Sequence, residues 1–498
     1  MKKLTALILS LLIIISGTAA FSAEEKNDKI NIEKIEFKNP NFIKGMDISS
    51  VISLENSGVK FYNNSGAEED LLKILANNGV NCIRIRVWNN PFNSDNKGYG
   101  GGNNDVNTAC KIAERAAKYN LSLLIDFHYS DFWADPGKQK APKAWSKLSV
   151  DDKAEMVKAF TKSSLETISA AGAKIAMVQI GNETTNGIAG VYSAKDMAKI
   201  YNAGSAAVRE FDSEIKTAIH FTNPDKTEYF KSLVDNLNTY NVDYDILATS
   251  YYPYWHGSLS NLTEVLNYAA DTYGKYVMVA ETSYANTLKD TDGHENTVSD
   301  NNNNTGENLL WDFTAQGQAE EVRAVMEAVN NVKNSKGLGV FYWEGAWISV
   351  GDTTNLSGED YENRVKDNKS LWEEYGSGWA SSFSGGYDPD DAGVYYGGSA
   401  IDNQAFFDAQ GKALPSLKVF DYVTYGNGEI LSGDSNFDKV VNILDVTAIQ
   451  KFLVEKTEIN KKAADVNGDN IVSIKDATLI QHYRAKIKVD FPIDININ

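Results

Sequence analysis

Two glutamates that follow short apolar runs have the residue type and the setting for acid–base chemistry. Glu183 follows Val178–Asn182, and Glu281 follows Met278–Ala280. An apolar run of this length predicts a buried strand, which would bring each carboxylate to the carboxyl end of a sheet. Two carboxyl groups about 5–5.5 Å apart cleave a glycosidic bond with retention when one is the nucleophile and the other protonates the leaving oxygen. The pair predicts that chemistry, whereas either glutamate alone would more often be a helix cap or a surface charge.

The neighbours of the two glutamates indicate which residue does which task. Asn182 immediately precedes Glu183, where its amide would hydrogen-bond the 2-hydroxyl of a sugar held over a nucleophile. We therefore assign Glu183 as the proton donor and acid/base, which needs a raised pKa. Glu281 becomes the nucleophile, which needs an environment that stabilises its charge.

A pair of arginines is predicted to supply that environment. Arg84 and Arg86 lie two residues apart in the apolar run 81–88, so a strand would place both side chains on one face. A buried arginine is unfavourable unless it is paired. We predict that Glu281 is the partner of Arg84, and the alternative is an ion pair that only stabilises the fold.

Three further strand ends carry side chains that suit sugar binding. They are the segments Asp126–Asp135, Tyr251–His256 and Phe341–Glu344, each with several aromatic or polar residues. An amphipathic aromatic ring can pack on a sugar face while its polar edge hydrogen-bonds. We predict that these segments form sugar subsites, although His128 taken alone would more often be a structural histidine.

The elements that position these residues alternate regularly between apolar runs and amphipathic segments, which predicts βα units around a parallel sheet. The predicted strands are Phe42–Ile48, Asn81–Val87, Leu121–His128, Ile175–Asn182, Ile215–Phe221, Tyr244–Tyr251, Tyr276–Glu281 and Gly339–Trp343. The predicted helices include Glu68–Asn78, Val106–Tyr119, Asp152–Ala170, Ala194–Arg209 and Ala319–Val332. Eight units predict an α/β fold, a closed (β/α)₈ TIM barrel with its active site at the carboxyl ends of the strands. Two long interruptions, Asn286–Gly317 and Ser349–Ala405, would be loops on that face.

Length, charge and cysteine content limit the class of protein. The chain has 498 residues, a net charge of −19 and two cysteines, which fits a large barrel plus a small module. The negative charge argues against nucleic acid and anionic membranes as partners, because both bind clusters of Lys and Arg. Cys82 and Cys110 are predicted to be two buried thiols, and a bridge between them stays open.

The first residues have the order of a secretory signal. Residues 1–23 run from a charged start through an apolar stretch to small residues, which predicts a signal peptide and a secreted, extracellular protein. A buried N-terminal helix is the less favoured alternative. We predict a leader at 24–40, the barrel at 41–423, a linker at 424–432 and a second domain at 433–490.

Five motifs in order resemble glycoside hydrolase family 53, the endo-β-1,4-galactanases. The motifs are Arg84–Trp88, Asp126–Gly137, Gln179–Glu183, Ser250–Gly257 and Gly339–Glu344. The resemblance covers roughly residues 40 to 422. It implies a barrel of clan A, retention by double displacement, and hydrolysis of β-1,4-galactan in type I arabinogalactan or pectin side chains.

Matched position by position, the resemblance makes Glu183 the proton donor and Glu281 the nucleophile. The positions that orient and stabilise this pair match Arg84, His128, Asn182 and Trp343. The residues that we expect to contact substrate are Asp47, Trp88, Asp135, Tyr252, His256, Trp343 and Trp347. Thr184 departs from the family pattern, which usually has an aliphatic residue there, and we expect this to affect loop packing only.

A calcium site is predicted in the interruption after the seventh strand. Oxygen-bearing residues alternate along this segment, and oxygens are the ligands that Ca²⁺ prefers. The spacing resembles the calcium loop of bacterial members of the family, which implies the ligands Asp290, Asp292, His294 (through its carbonyl), Asn296, Ser399 and Asp402. A turn rich in Asp and Asn that holds no metal is the alternative.

Two copies of a shorter calcium motif follow residue 433 and have the ligand spacing of an EF-hand loop with Asp in place of the final Glu. The predicted ligands are Asp434, Asn436, Asp438, Asn442 and Asp445 in the first copy, and Asp465, Asn467, Asp469, Ser473 and Asp476 in the second. Lys439 and Asn470 stand where glycine is usual, which predicts mild strain. With helices predicted at Val446–Val454 and Ala477–Arg484, the pair resembles a small all-α type I dockerin, which implies docking to a cohesin of a cellulosomal scaffold protein. Ile443, Leu444 and Ile474 would contribute to that docking face.

The expected cofactors are three Ca²⁺ ions, one in the barrel loops and two in the dockerin, with no organic cofactor and a monomeric catalytic unit. Three alternatives remain open. One is a hydrolase of another β-1,4-glycan such as mannan, xylan or cellulose, and another is a non-catalytic carbohydrate-binding component. The third is a C-terminal calcium-stabilised tail that has no partner.

Overall fold

Eight parallel strands close into a barrel in which each strand pairs with its neighbours in chain order and the eighth returns to the first. The computed structural model describes residues 29–300, 309–390, 392, 397–427, 430–455, 457 and 459–497. The strands are β1 (Ile43–Asp47), β2 (Cys82–Val87), β3 (Ser122–Phe127), β4 (Ile175–Ile180), β5 (Lys216–Phe221), β6 (Ile246–Ser250), β7 (Tyr276–Thr282) and β8 (Gly337–Tyr342). Each lies within two residues of its predicted bounds, so the predicted TIM barrel is confirmed.

The helices cover the outside of the barrel and build the C-terminal unit. They are α1 (Val51–Asn56), α2 (Leu71–Asn77), α3 (Val106–Lys118), α4 (Val150–Ser169), α5 (Ala194–Phe211), α6 (Thr227–Thr239), α7 (Leu259–Tyr273), α8 (Ala315–Asn330), α9 (Gly358–Tyr375), α10 (Val419–Tyr425), α11 (Ile443–Glu455), α12 (Lys461–Ala464) and α13 (Ile474–Arg484). Several begin at a serine or threonine, such as Ser149, Ser193 and Thr314, whose side chain accepts a backbone N–H of the first turn and so caps the helix.

Helix α9 lies inside the interruption Ser349–Ala405, which the sequence did not mark as helical. Its residues are mostly charged and polar, and only Asn368 and Trp372 are buried. An apolar stripe that faces the core is the main sequence signal for a surface helix, and α9 nearly lacks one. The segment is therefore a structured insertion on the face where the strands end.

The inside of the barrel changes from apolar to polar along the strands. Nearer the beginnings of the strands, the interior contains one buried apolar cluster, which includes Cys82, Leu124, Met177, Ala218 and Ala248. Two residues further along each of these strands, on the same face by period-two alternation, stand Arg84, Asp126, Gln179, His220 and Ser250, all buried. The sequence therefore builds an apolar plug at one end of the barrel and a polar chamber at the other.

The described N-terminal segment packs against the barrel. Ile30, Ile32 and Ile35 are buried with the barrel core, and the Ile35 N–H donates to the carbonyl of Val423. The described part of the predicted leader at 24–40 therefore packs on the barrel through its apolar isoleucines. The predicted signal peptide, residues 1–23, lies outside the described residues.

The prediction of two buried thiols holds for one of the two cysteines. Cys82 is buried and Cys110 is only partly buried, and both are free thiols. Among the described residues, no helix has both the length and the apolar character needed to cross a membrane.

The C-terminal unit has its own core, formed by residues such as Val446, Ile449 and Ile480. Helix α11 begins three residues before the predicted bound and α13 also begins three residues early, because each helix starts inside the end of its loop. The chain ends pair as well, since the Ser432 N–H donates to the Ile495 carbonyl and the Asp494 N–H donates to Ser432. The unit thus includes the end of the predicted linker and residues beyond 490.

Candidate active site

A distortion in β7 turns Glu281 toward the mouth of the barrel. Met278 and Ala280 face the barrel interior, so strict alternation would point Glu281 outward. The pairing register shifts on both sides of β7 near this point, and Glu281 lies opposite Ser250 of β6. A bulge re-aims a side chain in this way, and here it places the carboxylate in the polar chamber.

Glu281 is held by an arginine and a tyrosine. Arg84 Nη2 lies 2.8 Å from Glu281 Oε1, and the Tyr252 hydroxyl donates to Oε2 at 2.9 Å. Arg84 also pairs with Asp47 at 3.0 Å and with Asp126 at 2.8 Å, and it is only 1% exposed. The ion pair of Arg84 with Glu281 that the sequence predicts is therefore present, within a larger buried network.

Glu183 sits at a strained position at the end of β4. Its φ is 43° and that of Gly181 is 85°, both in the left-handed region, which a glutamate rarely adopts. The Ser250 hydroxyl donates to Glu183 Oε1 at 2.6 Å. Backbone strain of this kind persists where the surrounding structure enforces it and is concentrated at functional sites.

The two carboxyl groups have different electrostatic environments. Burial, and next the charge of Glu281, raise the pKa of Glu183 to about 8. Burial raises the pKa of Glu281 as well, but the charge of Arg84 and the hydrogen bond from Tyr252 oppose that rise. Arg84 therefore favours the ionised form of Glu281, and burial favours the protonated form of Glu183.

His128 supports the network in one defined tautomer. Its Nδ1 accepts the indole N–H of Trp88 at 3.1 Å and the backbone N–H of Ala134 at 3.3 Å. Both partners are donors only, so the proton of the neutral ring is on Nε2, which donates to Asp126 Oδ2 at 3.0 Å. His128 therefore orients Asp126, and Asp126 in turn orients Arg84.

Four of the predicted substrate residues line one cleft with the two glutamates. The cleft has a volume of about 550 Å³, and Asp135, Tyr252, His256 and Trp343 contribute to its wall. Arg84, His128 and Asn182 also reach this wall. The predicted site residues from six strands and the loops after them are thus brought together at one end of the barrel.

Three other predictions of substrate contact need correction. Asp47 is fully buried and pairs with Arg84. Trp88 is fully buried and donates to His128. Trp347 is 1% exposed, donates to the Ser377 carbonyl and lies behind Trp133, parallel to its ring. All three side chains are buried behind the cleft wall. Their polar atoms are paired with protein groups.

The structure also reveals Trp379, which the sequence reasoning missed, beside two residues that it had singled out. Trp379, which follows α9, stacks on Trp133 with ring centroids 4.6 Å apart, and both line the cleft. Arg86 lies 4.3 Å from the Trp133 ring and pairs with Glu344 at 2.6 Å. No sequence pattern indicated that Trp379 would line the cleft, because it comes from an insertion far along the chain.

His220 and Ser250 were missed as well, although a signal for them exists. Both follow the inward alternation of β5 and β6 by two residues from a buried alanine. His220 lies 3.1 Å from Asn182 Oδ1 and 3.0 Å from Ser250 Oγ through its two ring nitrogens. A polar residue at an inward position near a strand end is the pattern that would have identified them.

Comparison with known proteins matches this arrangement. The profile of glycosyl hydrolase family 53 matches residues 43–420. The chain belongs to glycosyl hydrolase family 53. A second profile, the dockerin type I domain, matches residues 432–483, so this family 53 glycoside hydrolase carries a type I dockerin.

Similar proteins agree with the family. The endo-β-1,4-galactanase of Bacillus subtilis (strain 168) is 51% identical over 418 residues, which are 83% of this chain and 94% of that protein. The arabinogalactan endo-β-1,4-galactanase of Humicola insolens is 32% identical over 317 residues, 61% of this chain and 90% of that protein. The solved GH53 catalytic domain of Ignisphaera aggregans has a TM-score of 0.68 at 36% identity and covers 79% of this chain and 99% of that chain.

A cluster of acids joins the loops after β7 and β8 of this family 53 barrel. Oxygens of Asp290, Asp292 and Asp402 lie within 4.8 Å of one another. Burial, and then the charges of Asp402 and Asp290, raise the pKa of Asp292 well above its usual value. The buried Asn296 Oδ1 has no hydrogen-bond partner among the described residues. These groups fit a hard cation, because close buried carboxylates and an unpartnered amide oxygen match the ligands of Ca²⁺.

The remaining predicted ligands of this cluster have other contacts. The Ser399 N–H donates to Asp292 Oδ2 at 2.8 Å, and its hydroxyl donates to the Trp347 carbonyl at 3.3 Å. The His294 ring centroid lies 6.2 Å from that of Trp372, and the His294 N–H donates to Asp292 at 2.8 Å. The ring therefore packs against an aromatic neighbour, which leaves the backbone of His294 toward the acids.

The two dockerin loops repeat the same geometry. Asp434 accepts the N–H groups of Asp438 and Lys439, and Asp465 accepts those of Asp469 and Asn470. In each loop the first aspartate therefore accepts backbone N–H groups from the residues four and five positions further along the chain, which closes a tight turn. Dockerin domains of this type bind calcium.

The predicted strain at the sixth loop position is present. Lys439 has φ 62° and Asn470 has φ 60°, where EF-hand loops normally have glycine. Asparagine tolerates this region better than lysine does. The first loop is therefore the more strained of the two.

Proposed function

We propose that this glycoside hydrolase is a retaining endo-β-1,4-galactanase that acts on galactan chains of type I arabinogalactan and pectin. The observation that carries the mechanism is the unequal setting of its two carboxyl groups. Glu281 is paired with Arg84 at 2.8 Å, while burial and the Glu281 charge raise the pKa of Glu183 to about 8. The names of the similar proteins from Bacillus subtilis and Humicola insolens support the substrate.

In the first step Glu281 attacks the anomeric carbon of the galactosyl unit while Glu183 gives its proton to the glycosidic oxygen. The ion pair and the Tyr252 hydrogen bond keep the nucleophile ionised and fix its direction. The C–O bond to the leaving chain breaks as the bond to Glu281 forms. The result is a covalent galactosyl-enzyme.

In the second step Glu183, now ionised, takes a proton from water, and the water oxygen attacks the anomeric carbon. Glu281 leaves with its electron pair, so two inversions give net retention. Asn182 has a role in both steps. Its Nδ2 donates one hydrogen to the Ala134 carbonyl at 2.9 Å, and its second hydrogen is available for the sugar 2-hydroxyl.

Aromatic side chains in the cleft wall hold the sugar chain. Trp343 and Trp379 line the cleft beside the two glutamates, and Trp255, which is 45% exposed, lies at its edge. Trp133 fixes the orientation of Trp379 by stacking and by donating its indole N–H to the Trp379 carbonyl at 3.0 Å. Galactose rings would pack on these faces in successive subsites.

The acid cluster of the barrel would hold one Ca²⁺ through Asp290, Asp292, Asn296 and Asp402, with backbone oxygens of His294 and Ser399. The ion supplies positive charge that neutralises the buried carboxylates and ties two loops together. The dockerin would hold two more ions at its two loops. Calcium is structural in this proposal and takes no part in bond cleavage.

The dockerin would bind the cohesin of a cellulosomal scaffold, which places the enzyme outside the cell. Ile443, Leu444 and Ile474 support this proposal because each is more than half exposed. Exposed apolar side chains grouped at the ends of two related loops are typical of a protein interface. We propose that these side chains contact the cohesin.

Substrate class is tested by reducing-sugar release from purified linear β-1,4-galactan, mannan, xylan and cellulose under identical conditions. We expect rapid release from galactan, with oligosaccharides of several lengths, and none above background from the other polymers. Hydrolysis confined to another polymer would overturn the galactanase proposal. Removal of single terminal galactose units only would overturn the endo mode.

A further inference from the structure

His220 has a tautomer that the surrounding hydrogen bonds determine. Its Nδ1 lies 3.3 Å from the backbone N–H of Glu183 and 3.0 Å from Gln179 Nε2, which are both donors. The same Nδ1 lies 3.1 Å from Asn182 Oδ1, but that oxygen already accepts from Arg84 Nη2 and Gln179 Nε2. Nδ1 is therefore the acceptor of the ring. The ring is fully buried, and burial lowers its pKa well below the usual value. The neutral ring therefore carries its proton on Nε2.

Ser250 transmits this arrangement to Glu183. Its Oγ lies 3.0 Å from His220 Nε2 and 2.6 Å from Glu183 Oε1. Because Ser250 accepts the ring proton, its own hydroxyl proton points to Oε1. Both His220 and Ser250 are fully buried, so water does not compete for these bonds.

We propose that His220 and Ser250 are positioning residues that keep Oε1 of Glu183 a hydrogen-bond acceptor and leave Oε2 to carry the proton transferred to the leaving chain. The inference rests on the proposed role of Glu183 as proton donor. A carboxylic acid has one proton and two oxygens, so assigning one oxygen as acceptor selects the other as donor. Selection of one oxygen directs the acid proton toward the cleft in each turnover.

We call the hydrogen-bonded set of His220, Ser250 and Glu183 the relay. Thr184 holds this relay in place. Its backbone N–H and its hydroxyl both donate to the His220 carbonyl, at 2.8 Å and 2.9 Å. An aliphatic residue at this position would lose the second bond. Thr184, which departs from the family pattern, therefore ties the end of β4 to β5 at His220.

Other groups that face Glu183 stay unchanged when Ser250 is altered. The charges of Glu281 and Asp135 raise the pKa of Glu183, and a hydrogen bond from Thr222 lowers it. Arg84, His128, Lys226 and His256 line the same cleft. A change in pH dependence on removing the Ser250 hydroxyl therefore reports the Ser250 bond itself.

The test compares Ser250→Ala with Ser250→Thr, which keeps the hydroxyl. A second control is Thr249→Val, which removes a neighbouring buried hydroxyl that donates to the carbonyl of Ser250. Two substrates are used: galactan, whose leaving group needs a proton, and a 2,4-dinitrophenyl β-galactobioside, whose leaving group does not. We expect Ser250→Ala to lower kcat/KM on galactan about tenfold, which is part of the rate enhancement that general acid catalysis supplies. The kcat/KM on the dinitrophenyl substrate should stay within about twofold of wild type, because its leaving group needs no proton.

The pH profile supplies an independent readout. The Ser250 bond stabilises the ionised carboxylate, so its loss raises the pKa of Glu183 and moves the basic limb of kcat/KM to higher pH. Ser250→Thr and Thr249→Val should keep the wild-type profile. Equal losses on both substrates, or an unmoved basic limb, would overturn the relay. Full galactan activity in Glu183→Gln would instead overturn the proposed role of Glu183, whatever Ser250→Ala shows.

Discussion

At the scale of single residues, Arg84 distinguishes the two glutamates. It contacts Glu281 at 2.8 Å, and no ion pair joins it to Glu183 within the described part of the chain. A buried arginine stabilises the ionised form of its partner, which supports the proposed role of Glu281 as nucleophile. Burial and the charge of Glu281 favour the protonated form of Glu183, which supports its proposed role as proton donor.

Removal of the nucleophile should abolish turnover without abolishing binding. We expect Glu281→Ala to lower kcat on galactan by at least about 10⁴-fold, in the range of other nucleophile deletions, while galacto-oligosaccharide affinity by calorimetry stays within a few-fold. Glu166→Ala, an exposed glutamate on α4, is the matched control and should keep full activity. Residual activity within tenfold of wild type would be incompatible with the assigned role.

The unequal acid pair predicts a bell-shaped dependence of kcat/KM on pH. The acid limb reports ionisation of Glu281, and the basic limb reports loss of the proton from Glu183, whose pKa burial and the Glu281 charge raise to about 8. Activity on galactan should therefore fall as the pH rises through about 8. A steady-state pH profile measures this, and a rate that keeps its maximum well above that pH would contradict the assignment.

The sequence predicted these residues unevenly. Glu183 and Glu281 were identified because each follows an apolar run at a strand end, and Arg84 because it is a charged residue inside an apolar run. Trp88 and Trp347 were assigned to the substrate because an aromatic residue at a strand end suits both sugar stacking and core packing, and only burial separates the two. His220 was missed because a single histidine inside a strand is usually structural.

At the scale of elements, the strands were the most predictable part and the loops after β7 and β8 the least. Strand bounds follow from apolar runs, so each lies within two residues of its prediction. The bulge in β7 that turns Glu281 inward arises from pairing with its neighbours, and a single strand's sequence does not encode it. Helix α9 has too few buried residues to leave an amphipathic pattern.

The two long loops meet at the acid cluster, and this contact should make the barrel sensitive to calcium. Binding to the folded state adds RT ln(1 + [L]/Kd) to stability, so chelation with EGTA should lower the melting temperatures of both domains by several degrees. Differential scanning calorimetry measures this. In Asp292→Asn, EGTA should no longer lower the melting temperature of the barrel but should still lower that of the dockerin. A wild-type barrel whose melting temperature does not change with EGTA would rule out the barrel site.

At the scale of the whole molecule, two independent cores serve two tasks. Among the residues that the structure describes, the barrel core and the C-terminal core have no buried apolar residue in common. The family 53 match ends before the junction and the dockerin match begins after it. The sequence predicts a linker at 424–432 for this junction. It missed the pairing of Leu431 with Asn496, because an isolated bridge between distant segments has no local pattern.

Docking and catalysis should therefore be separable. A Leu444→Asp substitution at the exposed start of α11 should weaken cohesin binding at least tenfold, equivalent to about 1.4 kcal/mol, and leave galactan hydrolysis unchanged. Met156→Asp, an exposed apolar position on the barrel, should change neither property. Calorimetric titration with a type I cohesin measures the effect, and unchanged affinity in Leu444→Asp would exclude this face from the interface.

The most direct test of the central claim is the anomeric configuration of the first product. Proton NMR of galactotetraose hydrolysis, recorded before mutarotation is complete, distinguishes the two anomers of the new reducing end. Double displacement by Glu281 with Glu183 as acid/base predicts that the β-anomer appears first and the α-anomer only later. Initial appearance of the α-anomer would show direct attack by water and would contradict the mechanism.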